Sequence, residues 1–171
     1  MKLSTSTNIV FERPDKSIMP MEDMMEMAFA AGFDTFDISF YDWSLPHSPF
    51  LTDGWERWLA GIERKKDELG VTFGQCHAYT YNFCAEMTES ERRRHEELTE
   101  RSVYCCAALG SRLCVTHPET DFDSPALVQS SKEKNIAYFR ELLRKTGSST
   151  IWPLLWKTCA IMPLRQGGNT A

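Results

Sequence analysis

The 171-residue chain carries 42% hydrophobic and 25% charged residues, enough apolar material for one domain with a real core. Its formal net charge is −5, from 19 basic and 24 acidic residues, which counts against DNA or RNA as the main partner. No apolar run approaches the roughly 18 residues of a membrane span, and Met1 to Thr7 lacks the apolar segment of a secretory signal.

The chain reads in order as follows. Lys2 to Val10 forms a first strand. Met21, Met24, Met25, Ala28 and Phe29 then fall on one face of a helix, which Gly32 stops. Thr35 to Phe40 is a second strand, followed by a long loop, Tyr41 to Gly54, that contains His47. A second helix places Trp55, Trp58, Leu59, Ile62 and Leu69 on one side and ends at Gly70. Strand three runs from Val71 to His77 and continues into Tyr79, Tyr81 and Phe83. Thr88-Glu89-Ser90-Glu91 is a capping box opening a third helix, which buries Leu98, Ser102, Cys105, Cys106 and Leu109 before Gly110. Arg112 to Thr116 is strand four, and it delivers His117-Pro118. A fourth helix opens at a second capping box, Ser130 to Glu133, uses Ile136, Phe139 and Leu143, and stops at Gly147.

The four stop glycines, 32, 70, 110 and 147, recur every 37 to 40 residues, and a strand follows each of the first three at once. This is a βα repeat of near-constant period, the pattern of an α/β parallel sheet with crossover helices. After Gly147 the pattern fails. Pro153 argues against a long central strand there, and all 24 acids lie in residues 1–141, none in 142–171. Residues 1–147 are therefore expected to form the βα domain. Residues 148–171 read as an atypical tail, from truncation or an altered reading frame, that seeks cover on the edge of strand four or in the open interior.

In a parallel sheet, functional groups collect at the carboxyl ends of the strands. His77 ends strand three and His117 ends strand four, so two imidazoles converge on one face, with Asp37 and His47 nearby. Gln75, two residues before His77, shares its side of the strand and can orient it or a substrate hydroxyl. Imidazoles serve as ligands for Zn²⁺ or Mn²⁺ and as acid/base groups near neutral pH. A lone strand-end histidine is more often a hydrogen-bonded structural residue, and Asp37 could equally cap a turn. Tyr79, Tyr81 and Phe83 suit a sugar floor or plain loop packing. His95 sits in a polar helical run and reads as solvated. The six cysteines (76, 84, 105, 106, 114 and 159) form no C-x-x-C pair and read as reduced, mostly buried thiols in a cytoplasmic protein. Cys76 adjoins His77 but points to the other side.

Three stretches carry a family likeness: Ala30 to Ser39, with its Gly-Phe and an acid in strand two; His77-Ala78-Tyr79; and Val115-Thr116-His117-Pro118. Over residues 2–147 the sequence resembles the first half, four βα units, of the xylose-isomerase-like TIM barrels. These are sugar-phosphate isomerases and epimerases, with endonuclease-IV-type AP endonucleases as relatives. The resemblance implies a small-molecule sugar or sugar phosphate as substrate and a divalent metal (Mn, Mg or Zn) at the carboxyl face. It also implies proton transfer α to a carbonyl. Asp37, Gln75, His77 and His117 become the expected substrate-binding residues, with His77 and His117 as expected metal ligands. The family holds its metal chiefly on Glu, Asp and His of strands five to eight, yet no acid follows Glu141. The catalytic carboxylates are thus unassigned, and impaired activity is expected. Two alternatives follow: a metal-dependent DNA-repair phosphodiesterase of the AP endonuclease type, or a non-catalytic half-barrel that pairs through exposed sheet edges, as in a homo-oligomer.

Overall fold

A computed structural model of the chain describes residues 3–120, 122–146 and 160–163. Four strands, β1 (Ser4–Ser6), β2 (Thr35–Ser39), β3 (Thr72–His77) and β4 (Leu113–Thr116), lie side by side in sequence order and run parallel. Helices α1 (Met21–Ala30), α2 (Trp55–Leu69) and α3 (Glu89–Ala108) make the crossovers, and α4 (Pro125–Thr146) follows β4. This is four βα units in a row, the first half of a (β/α) barrel.

Strand parity sorts the side chains. Phe36 and Ile38 of β2, and Phe73 and Cys76 of β3, point at the helices and are all but buried. There they meet Met21, Met24 and Met25 of α1 and Leu59 and Ile62 of α2, each at most 3% exposed. Each such side chain contributes about 1.5–3 kcal/mol on burial, so this layer between sheet and helices holds the fold. The opposite, concave face of β2 and β3 carries Thr35, Asp37, Ser39, Thr72, Gln75 and His77. Only polar groups stand there, where an ordinary barrel interior would carry branched apolar residues.

The helix stops are as expected. Gly70 takes φ 66°, where a side chain would be strained, so that Gly70 N–H reaches Asp67 O and Val71 N–H reaches Lys66 O. The Thr88–Glu91 capping box closes reciprocally. Gly147 lies outside the described residues.

Four expectations need correction. The first strand ends at Ser6, because the Ser6 hydroxyl accepts from Asn8 N–H (3.2 Å) and turns Thr7–Val10 into a 3₁₀ helix. The fourth helix starts at Pro125 instead of Ser130: the Ser124 side chain accepts from Leu127 N–H (3.2 Å), with proline following in the first turn. That start rotates the buried stripe to Ser131, Phe139 and Leu142 and leaves Ile136 on the surface. Phe29, placed on the buried face of the first helix, is likewise exposed, and α1 buries Met21, Met24, Met25 and Ala28 alone.

The parallel pattern ends at β4. A fifth strand, β5 (Ala160–Pro163), pairs with it antiparallel, from Leu113↔Pro163 to Thr116↔Ala160. The tail does come to rest on the strand-four edge at these four residues; the remainder of 148–171 lies outside the described residues.

Candidate functional site

The concave face gathers its functional groups around a break in register. Phe36 pairs with Phe73, but Asp37 pairs with Gln75, so Gly74 is bulged out of the ladder. A Cβ at Gly74 would meet Thr35 Cγ2 at 3.0 Å, which is why a glycine suits the bulge. Past it, Gln75 lies against Asp37 and His77 against Ser39, all on the concave side.

Asp37 is the hub. Its Oδ1 accepts from His77 Nδ1 at 3.0 Å and its Oδ2 from Gln75 Nε2 at 2.9 Å, while its backbone carbonyl accepts from the Thr7 hydroxyl at 3.1 Å. The carboxylate is 15% exposed and the imidazole 30%, so water screens the pair only partly. The hydrogen bond to Asp37 raises the His77 pKa above its ordinary value; burial opposes this, and the charges of Asp37 and Asp42 add to it. With Nδ1 donating to Asp37, Nε2 is left to exchange a proton. The His117 ring stacks parallel to His77, with centroids 6.1 Å apart and planes within 14°. All four residues expected at the site are therefore brought together.

Three further residues belong to the same neighbourhood. Asp42, in the loop after β2, accepts a short hydrogen bond from Asn8 Nδ2 and adds its charge at His77. Asn8 Oδ1 is buried with no partner among the described residues. Burial raises the Glu119 carboxyl pKa, with the charge of His117 opposing. The Glu119 backbone is held on both sides by Asn135, which accepts from its N–H (3.1 Å) and donates to its carbonyl (2.5 Å). The visible signal for Asp42 and Glu119 was their place just beyond the ends of β2 and β4.

Other expectations place differently. His47 lies apart, exposed at φ 68° on a separate cleft with Trp43 and Trp58. His95 is half-buried and packed rather than freely solvated: its Nδ1 lies 2.6 Å from the Tyr79 hydroxyl, and its ring stacks on Tyr81 at 4.6 Å. The loop after β3 folds over α3, so Tyr79, Tyr81 and Phe83 are buried against α3 and α4 as packing. Cys76 does point away from His77, into a buried thiol group where Cys106 Sγ and Cys114 Sγ are 3.3 Å apart.

Among the described residues no three His, Cys, Asp or Glu side chains converge to hold an ion. His77 Nδ1 is held by Asp37, which leaves Nε2 as the ring nitrogen that faces outward to a proton or an ion. His77 and His117 alone fall short of the divalent-metal set the resemblance implies.

No protein-family model matches the chain, and no curated protein does. Solved structures do. A D-tagatose 3-epimerase-like protein superposes with a TM-score of 0.55 at 16% identity, over 85% of this chain and 49% of that one. The fold is shared with sugar-epimerase barrels. The 3-keto-D-glucoside 4-epimerase from E. coli gives a TM-score of 0.52 at 14% identity, over 86% of this chain and 53% of that one. The chain spans about half the length of these structures, and the likeness bears out the xylose-isomerase-like barrel at the level of fold.

Proposed function

We propose that this chain is the amino-terminal part of a sugar isomerase or epimerase barrel, with the Asp37–His77 pair as an acid/base group that handles a ketose or aldose. One observation carries this: a partly buried carboxylate and imidazole, joined at 3.0 Å at the carboxyl end of adjacent parallel strands. Isomerisation and epimerisation of sugars need a group that takes a proton from one atom and returns it to another, and an imidazole of raised basicity does this near neutral pH. Asp37 holds the ring in one tautomer and steadies the imidazolium that forms when Nε2 takes the proton. Gln75 fixes the second oxygen of Asp37 so that the pair does not rotate. His117 sets a second imidazole beside the first. The similarity in fold to sugar epimerases supports the substrate class.

No carboxylate follows Glu141, so this chain alone is expected to bind sugar and turn it over poorly. The test is a titration of the ¹⁵N-histidine-labelled protein with D-fructose, read by NMR at the ring nitrogens. The His77 and His117 signals should move together and saturate, and His77→Ala should abolish the response at His117. Changes confined to His47 or His95, or none at all, would overturn the assignment.

A further inference from the structure

Helix α4 carries an asparagine, Asn135, in its third turn, where alanine or lysine would form helix more readily. Its carboxamide is spent on the loop after β4. Asn135 Oδ1 accepts from Glu119 N–H (3.1 Å), and Asn135 Nδ2 donates to Glu119 O (2.5 Å), so the side chain pairs with one peptide on both sides, as a neighbouring strand would. The same Nδ2 donates to Ser131 O one turn back (2.7 Å), which ties the amide to its own helix. Two further contacts join this point. Cys84 Sγ donates to the same Glu119 carbonyl (3.7 Å), and Lys134 Nζ donates to Cys84 O (3.1 Å). Helix α4 thus pins both the loop that leaves His77, at Cys84, and the loop that leaves His117, at Glu119. Only His117 and Pro118 lie between the end of β4 at Thr116 and the clamp at Glu119, and the proline ring fixes one of those two φ angles.

We infer that Asn135 is a positioning residue: through Glu119 it fixes His117 in its parallel stack on His77, so that both imidazoles meet one sugar at a set separation. This rests on the reading of the histidine pair given above. The chemistry of the clamp is specific to an amide, which accepts and donates from one planar group. Asp at this position keeps an acceptor for Glu119 N–H but sets a carboxylate against the Glu119 and Ser131 carbonyls. Ala keeps neither half.

The experiment is NMR of the full ¹⁵N-labelled chain. In the unsubstituted protein the Glu119 amide should exchange with deuterium at least about tenfold more slowly than an open loop amide; exchange at the open rate would overturn the clamp with no substitution made. Asn135→Asp and Asn135→Ala should each move the His117 ring signals to those of a mobile histidine and leave the His77 signals at their Asp37-bonded position. Each should also weaken the response to D-fructose about tenfold, the size of one net hydrogen bond. A contact that serves stability alone behaves otherwise: the melting temperature falls while the His117 signals and the sugar response stay as they were, and that result would overturn the proposal. Should one variant not fold by circular dichroism, the other carries the test, and should neither fold, the exchange rate at Glu119 decides it. Failure of the wider reading looks different. The unsubstituted protein then shows no histidine response to sugar, while displacement of His117 in Asn135→Asp still reports on the clamp.

Discussion

A single carboxylate organises the candidate site, and its effect has a sign that can be checked. His77 has a folded-state pKa above 6.5 because its ring donates to Asp37. Stability from the protonated ring is therefore fully present below about pH 6.5, the unfolded value, and is lost as pH rises through the raised folded value. Asp37→Asn should lower the His77 pKa in an NMR titration and destabilise the fold more at pH 5.5 than at pH 8.5. A charge-assisted hydrogen bond contributes about 1.5–3 kcal/mol, which sets the ceiling at the lower pH. Equal losses at both pH values would mean that packing, not charge, is what Asp37 supplies. His77 and His117 are legible as strand ends, Asp37 as the acid of strand two and Gln75 as the residue two before His77, but the bulge that turns Gln75 and His77 to the concave side is not. Asn8 is not legible, since the 3₁₀ turn that brings it under Asp42 occupies residues that read as strand. His95 reads as solvated for a related reason: helical position cannot show that the loop after β3 folds over it.

At the level of elements, period and stop signals carried most of the information. Three helices end at glycines of positive φ, at 32, 70 and 110, and the strands follow at once. Two serine signals compete for the start of the fourth helix. Ser130-Ser131-Lys132-Glu133 fits the capping-box pattern, but Ser124-Pro125 lies nearer the strand and has a proline to begin the turn. Ser130 stands inside the finished helix, where serine is a slightly poorer helix former than alanine. Ser124→Ala should therefore cost about 1 kcal/mol in urea unfolding, and Ser130→Ala should be neutral or slightly stabilising. The reverse order would put the helix start back at Ser130. The Gly74 bulge was the one element feature with no readable warning beyond the glycine itself. Without the bulge, the alternation would set Gly74 opposite Asp37 and turn Gln75 and His77 to the helix side.

For the molecule as a whole, the question is how these four βα units keep their sheet in water. Two features answer it. The concave face of β2 and β3 is polar, so these two strands present no apolar side chain there. The outer edge of β4, which would otherwise present a row of open N–H and C=O groups, pairs with β5 over four register positions. Among the described residues the edges left are β1, three residues long, and β5, four residues long and ending in a proline that lacks an N–H. Both are poor templates for edge-to-edge growth, so the homo-oligomer that exposed edges would promote should not form while β5 is in place. Deleting residues 148–171 removes β5 and bares β4, with Leu113 already 37% exposed beside it. Each ladder hydrogen bond lost costs about 0.5–1.5 kcal/mol, and a few kcal/mol corresponds to roughly 5–10 °C in melting temperature for a chain of this size. We expect the full chain to scatter light as a monomer and unfold cooperatively. The shortened chain should melt lower and form oligomers, yet keep the His77 response to sugar, because Asp37, Gln75, His77 and His117 all precede the deletion. A shortened chain that melts like the full one and stays monomeric would show that β5 does not protect the edge, and loss of the His77 response in a still-folded protein would place part of the sugar site in the tail.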